Sequence, residues 1–470
     1  MMDYSELSGY VEINNSHYPF YFNRDAFDLK VFPPTVDLWK EKRDALFMEF
    51  GNFFIKEDEW IGNHRIKGIT AQGYNVLFLV SDLYSSNNGF ETYPVEWLVC
   101  YSSDDYNVNR INGLRISGGD VNYFYPAHRI LKSSVSHKQD SSSKTLQVSS
   151  TSKEYTPCGK YRIAPKVDAK ISINSSASLH SANEKNPIDA ESNILIEFSS
   201  PVDIDVVIKA VNEMFQFFTY TCYRSNISFP RIDVYWFNKD GKKDFDGRVL
   251  LSRNSEPETH ERVRKRIITY DFWGSKMSRM LTVIKNEQLD YGHICSNIDS
   301  QNSYPHGRFV LILTEFEREF RNIYGVDYIR SKTYSDTKKE VIKTLTKKSN
   351  EKSGKVKKYF KSFIKSIDNL DDSFSSRVKA ALNNCIDIMG PFIEKEFGDS
   401  SSKTIDDFAT RVGDLRNGFM HSRLDLEIKP INLNDIQIVE ELTYAIRLKK
   451  YEKDARKVQD AICRLFGKRI

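Results

Sequence analysis

Asp414-Leu415-Arg416-Asn417-Gly418-Phe419-Met420-His421 is the stretch from which the architecture of this chain can be read. It holds the only arginine in 470 residues that stands five positions before a histidine. The octet reads as the start of a helix. With about 100° per residue and Arg416 at 0°, Val412, Leu415 and Phe419 fall at about −40°, −100° and −60°, and Met420 at about +40°. These residues make an apolar stripe. Asn417, His421 and Asp414 fall at about +100°, +140° and +160°, on a polar face. Arg416 lies on the border, where its long side chain can turn either way.

Working outward, the surrounding sequence has the same helical texture. Phe309, Ile312, Leu313, Phe316, Phe320 and Ile323 recur on one helical face, flanked by Glu315 and Glu319 four positions apart. The segment 338–365 carries 11 lysines against Glu340 and Glu351, and ends in an amphipathic run from Val356 to Ile367. One helix is expected over Val378–Glu396, with Pro391 as a kink, and one over Asn434–Phe466. About five helices therefore fill residues 300–470, an all-α bundle.

Residues 1–295 have a different texture. Val11-Glu12-Ile13, Phe20-Tyr21-Phe22, Val76 to Val80 and Trp97 to Tyr101 are β-branched and aromatic, separated by Gly, Asn, Asp and Ser. Gly62-Asn63 reads as a hairpin turn. A β-rich, sandwich-like or barrel-like region is expected, with a possible subdivision at the Ser- and Thr-rich segment 132–157. Asn174 to Asn193 reads as a second polar stretch. Pro201 to Tyr223 is the one clear helix, capped by Asp203 or Asp205, with Val207, Ala210, Val211, Met214, Phe217 and Phe218 on its core face. The whole is an α+β multidomain chain.

Charge separates the same two regions. Residues 301–470 hold 33 Lys and Arg against 25 Asp and Glu, whereas residues 1–300 hold 35 against 39. A basic C-terminal half suits a polyanionic partner. The six cysteines form no CxxC, so neither a zinc knuckle nor a disulfide framework is expected. No apolar run approaches the ~18 residues of a membrane span. The first residues lack the pattern of a secretory signal. A cytoplasmic protein without metal or cofactor is expected. The histidines at 17, 64, 128, 137, 180, 260 and 293 share no metal-ligand spacing.

An adjacent histidine and arginine can cut RNA without a metal. The RNA's own 2′-OH is the nucleophile. Histidine, with a reference pKa near ~6.5, serves as base or acid, and arginine stabilises the added charge on phosphorus. Asparagine can hold the imidazole or a phosphate oxygen. The spacing alone is weak: nine histidines and 27 arginines give about half such pair per chain by chance.

Arg416-Asn417-Gly418-Phe419-Met420-His421, late in a basic helical region, resembles the RNxxxH signature of the HEPN superfamily. The C-terminal third is similar to Apea-like HEPN domains, and the β-rich front resembles the region that accompanies them in ApeA-type anti-phage proteins. The resemblance implies a metal-independent endoribonuclease that leaves a 2′,3′-cyclic phosphate and a 5′-OH. It implies a homodimer whose paired motif helices share one cleft. Arg416, Asn417 and His421 are then catalytic. An acid on an earlier helix, Glu315 or Glu319, and Asp414 are possible supporting groups, although Asp414 could simply favour a helix N-terminus. Lys347, Lys348, Lys355, Lys357 and Lys358 are candidate RNA contacts. The implied role is abortive infection, with host RNA, tRNA above all, as substrate and a phage protein as a trigger read by the front region. Two rival readings stand beside it: a non-catalytic HEPN interaction module, and a nucleic-acid-binding regulator.

Overall fold

The computed structural model describes residues 4–13, 15–32, 65–81, 85–87, 90–102, 105–126, 129–137, 144–150, 155–179, 188–253, 258, 261–325, 328, 332–368, 373–420 and 428–470. The chain divides into two compact units. One comprises Met1–Phe218, Asn226–Thr259 and Gly274–Lys285; the other comprises Thr219–Ser225, His260–Trp273 and Asn286–Ile470.

The first unit begins with strands β1 (Glu6–Ile13), β2 (Ser16–Asn23), β3 (Asp28–Val31), β4 (Arg65–Thr70), β5 (Asn75–Val80), β6 (Ser85–Asn87) and β7 (Phe90–Tyr101). β7 is twelve residues long and uses both edges. One edge pairs with β3, at Leu29 opposite Tyr93. The other pairs with β5, from Asn75 opposite Tyr101 to Leu79 opposite Trp97. That second pairing closes the ring β7-β3-β2-β1-β4-β5 into an antiparallel barrel. Alternate residues point inward, so Val11, Phe20, Phe22, Leu29, Val76 and Phe78 are all buried in it.

Beyond β7 the sheet continues through strands that follow in sequence: β8 (Ile111–Ser117), β11 (Thr156–Ala164), β12 (Val167–Leu179), β13 (Ile188–Val202), β14 (Arg231–Phe237) and β15 (Lys243–Leu251). Their spatial order is β15-β14-β8-β13-β12-β11. Between β8 and β11 lie helix α1 (Gly119–Phe124) and the separate hairpin β9 (Leu131–His137) and β10 (Lys144–Ser150), which falls in the Ser- and Thr-rich segment. Of the two expected forms, sandwich-like and barrel-like, the barrel-like one is observed. The described main strands form one antiparallel sheet rolled up at one end, not two stacked sheets. Asn174 to Asn193 also reads differently: its ends extend β12 and β13, where the buried Ser175 and Ser192 hydroxyls hydrogen-bond at 2.7 Å. The Gly62-Asn63 turn lies outside the described residues.

Helix α2 (Ile204–Cys222) buries the whole expected apolar stripe from Val207 to Phe218. Asp203 caps it, its carboxylate accepting from the Asp205 amide at 2.9 Å. Asp205 instead accepts from Arg65. Two short helices follow, α3 (Tyr270–Trp273) and α4 (Met277–Lys285).

In the second unit, eight helices run from His306 to Phe466 among the described residues: α5 (His306–Tyr324), α6 (Lys332–Asn350), α7 (Gly354–Asp368), α8 (Phe374–Asn384), α9 (Ile386–Phe397), α10 (Ser402–Met420), α11 (Pro430–Leu448) and α12 (Ala455–Phe466). α11 is the central element. From Ile438 to Leu448 every residue is buried. Its polar groups are paired, as burial demands. Asp435 takes a two-pronged hydrogen bond from Arg411 of α10 at 2.7 and 3.0 Å. Glu440 accepts from Arg308 and Tyr304, both at 2.9 Å. Glu441 faces the Lys468 ammonium at 3.0 Å, and Arg447 is paired with Glu319 of α5. The Tyr444 ring stacks on Tyr220, with centroids 4.6 Å apart.

Three helix boundaries differ from the sequence reading. The octet closes α10 instead of opening a helix. Ser401 starts that helix nineteen residues before its end, its hydroxyl accepting from the Thr404 amide at 3.3 Å. Asp414 is therefore near the C-terminal end and does not favour a helix N-terminus. Val378–Glu396 is not one helix: α8 and α9 meet at Cys385, and Pro391 lies inside α9. Proline has no N–H for the Asp387 carbonyl one turn back, and the Gln459 side-chain amide donates to that carbonyl at 3.0 Å instead. Asn434–Phe466 is also divided, α12 being restarted by the Asp454 cap on the Arg456 amide. No helix among the described residues is long and apolar enough to cross a membrane.

Candidate active site

α10 carries the octet against α5 and α8. Val412 and Leu415 are buried as the wheel requires. The Phe419 ring meets Phe309 of α5 at 5.5 Å between centroids. Gly413 sets the distance to α8: a Cβ there would lie 2.0 Å from the Ser375 hydroxyl oxygen and 3.3 Å from its Cβ. Only a glycine lets the two helices approach this closely. The N-terminus of α8 is fixed by Ser373, whose hydroxyl accepts from the Ser376 amide at 3.1 Å.

Between these three helices opens a cleft of about 260 Å³. Glu317 and Arg321 of α5, Ser373, Ser375 and Arg377 at the start of α8, and Arg416 and Asn417 of α10 line it. Its electrostatic centre is Glu317. Arg377, buried at 4 % exposure, is paired with that carboxylate. Arg321 approaches it at 3.7 Å, and Arg416 donates Nη2 to its Oε2 at 3.3 Å. Three guanidinium groups thus converge on one carboxylate. Such a cleft suits a phosphodiester, which arginine can hold in a two-pronged grip. The Arg416 side chain is 29 % exposed, so the guanidinium is aimed by Glu317 and still reachable from solvent.

Of the residues singled out by sequence, Arg416 and Asn417 come together at this cleft, with Asn417 exposed. Asp414 is exposed on the same helix but is not among the lining residues. His421 lies outside the described residues. Glu315 and Glu319 point elsewhere. Both are buried, with Glu319 paired to Arg447, and about 200° of helix turn separates each from Glu317. Burial, followed by the Glu319 charge, pushes the Glu315 carboxyl up to about 8. The acid that reaches Arg416 is thus the one between them. A sequence signal for Glu317 did exist, in its helical (i, i+4) relation to Arg321. Arg377 had no such signal, because its role depends on how α8 packs. Of the five lysines, Lys347, Lys348, Lys355 and Lys358 are exposed on α6 and α7, and Lys357 is half-buried. None of the five lines the cleft.

Comparison with protein-family models, with curated proteins and with solved structures returns no match for this chain. Among the described residues, no group of three or more His, Cys, Asp or Glu is arranged to hold a metal ion.

Proposed function

We propose that this protein is a HEPN-type endoribonuclease that cleaves RNA by transesterification, with transfer RNA as its substrate class. The observation that carries the reading is Arg416, held by Glu317 at 3.3 Å and open to the cleft that Arg321 and Arg377 also line, with Asn417 beside it. In this reading the scissile phosphate enters the cleft and binds Arg416. His421, five residues further along the chain, takes the 2′-OH proton as general base or protonates the leaving group as general acid. O2′ bonds to phosphorus, the P–O5′ bond breaks, and the 5′ oxygen leaves with a proton. The products are a 2′,3′-cyclic phosphate and a 5′-OH. Arg416 stabilises the pentavalent intermediate, where the negative charge is greatest. Water is not consumed and no redox step occurs.

On the same reading two chains pair through their motif helices to build the working site, and the β-rich unit senses a phage-derived trigger that releases the nuclease. Abortive infection is the biological outcome. The test is incubation of the purified protein with total tRNA in EDTA, with and without lysate of phage-infected cells. Cleavage by wild type that ends in cyclic phosphate, and its loss in both Arg416→Ala and His421→Ala, is the expected result. Equal cleavage by the variants, or a strict need for added metal, would reject it. The Arg416–Glu317 ion pair also suits a second reading, a non-catalytic interaction module. In that case both variants keep full anti-phage protection.

A further inference from the structure

α6 and α7 form a helical hairpin joined by three residues, 351–353. The two helices meet along a seam of half-buried or buried residues at heptad-like spacing. On α6 these are Ser335, Lys338, Ile342, Leu345 and Ser349; on α7 they are Lys357, Phe360, Ile364 and Ile367. The seam fixes which way every other side chain points. With about 100° per residue, Tyr334 and Val341 of α6 lie about 70° to one side of it, and Val356, Tyr359 and Phe363 of α7 about 90° to the same angular side. In an antiparallel pair, equal angular offsets bring both sets to one face. All five are exposed, Tyr359 at 63 % and Phe363 at 57 %.

The lysines occupy the opposite face. Lys332, Lys339, Lys343 and Lys347 of α6 lie about 80–160° to the other side of the seam, and Lys358, Lys361 and Lys365 of α7 about 80–140°. All seven are exposed, and none forms an ion pair among the described residues. Asp336 lies at a matching angle and Glu340 about 20° beyond Lys347, so seven lysines face two acids there. The hairpin as a whole, residues 332–368, holds 12 lysines and four acids. Like charges gathered on one face repel each other, and a hairpin that needed lysine only for solubility would distribute it around both helices. Lys348 and Lys355 fall away from this face, and Lys357 is in the seam.

Chain connectivity ties the hairpin to the cleft. α7 ends at Asp368, and the five Cα–Cα steps from there to Ser373 of the cleft can span at most about 18 Å. On the other side, α5 contributes Glu317 and Arg321 and ends at Tyr324, with seven residues between it and Lys332. The base of the hairpin is therefore anchored by both strands of chain to helices that line the cleft.

We propose, on the reading that RNA is the substrate, that the α6–α7 hairpin is an RNA-holding arm. Its seven-lysine face grips the sugar–phosphate backbone next to the cleft and reads no base. The test uses the full-length chain carrying Arg416→Ala, so that bound RNA stays intact. Binding to fluorescein-labelled tRNA and to a labelled single-stranded RNA is followed by anisotropy between about 50 and 200 mM salt. Adding Lys339→Gln, Lys343→Gln, Lys347→Gln, Lys358→Gln, Lys361→Gln and Lys365→Gln is expected to weaken binding at least tenfold. The slope of log K against log salt should become shallower by about 0.7 for each phosphate no longer neutralised. Lys453→Gln with Lys457→Gln, exposed lysines outside the hairpin, should leave both quantities unchanged, and circular dichroism should show equal helix content in all variants. Unchanged affinity and slope in the six-lysine variant overturns the arm, even if wild type cuts RNA. Binding to anionic phospholipid vesicles but not to RNA overturns it too. If the arm variant loses RNA while wild type binds and never cuts, the arm stands and the nuclease reading falls.

Discussion

Glu317 gives the cleft its geometry through one carboxylate shared among three arginines. Arg416→Ala is expected to abolish cleavage, and Arg416→Lys to do nearly the same, because an ammonium lacks the planar fork that holds a phosphate. Glu317→Gln should lower cleavage and also lower stability, since it removes the carboxylate that the buried Arg377 pairs with. Urea unfolding and tRNA cleavage assays read the two effects separately. Glu315 makes a different prediction. Its native carboxyl titrates at about 8, against 4.5 for the ordinary group. The folded state keeps a proton that the unfolded chain gives up, so stability falls as pH rises between those values. Glu315→Gln has no proton to lose. Its melting temperature should match wild type at pH 4 and exceed it at pH 8.5. At this scale the sequence was half legible. Arg416 and Asn417 could be found from the motif and their placement from helical periodicity. Glu315 and Glu319 were favoured because they flank a stripe, yet that position faces α11 and its Arg447. A helical wheel gives directions but not what stands in each direction.

At the scale of elements, two close fits are open to direct test. Gly413→Val pushes α10 away from Ser375 of α8 and should reduce cleavage at least tenfold while far-ultraviolet circular dichroism stays unchanged. Gln459→Ala deprives the Asp387 carbonyl of the donor that stands in for the missing Pro391 N–H, and should cost about 1 kcal/mol in urea denaturation. Helix periodicity was clear from sequence, and the buried stripes of α2 and α5 follow it closely. Helix ends were not. Apolar periodicity runs on through Cys385 and from Leu448 to Ala455, because both helices on either side of each break face the same core. The octet's helix begins earlier than read, and Ile405, Phe408, Ala409 and Val412, all buried at helical spacing after the Ser401 cap, are the signal that places its start.

For the whole molecule, sequence texture separated a β-rich front from a helical back, but not the topology of the front. Alternation tells which residues face inward. It does not tell that β7 pairs on both edges, and that double pairing turns a sheet into a barrel. In the second unit the organising element is α11, and α5, α8, α9, α10 and α12 all pack on it. Its burial on all sides and its ionic partners on α5, α10 and beyond make the unit cooperative. A chain ending at residue 427 should be digested throughout α5–α10 by a protease concentration that leaves the full chain intact.

The position of α11 in the chain has a consequence for synthesis. Helices α5, α8 and α10, which line the cleft, all leave the ribosome before α11 does. Until residues 430–448 emerge, those helices lack the element on which all three also pack, Arg411 has no Asp435, and Glu319 has no Arg447. At about 5–20 residues per second the growing chain passes through this stage within seconds. A nascent protein of this design therefore carries its arginines and glutamate on helices that still lack their shared support. The proposed RNA-cutting site gains its full support only after α11 has been made.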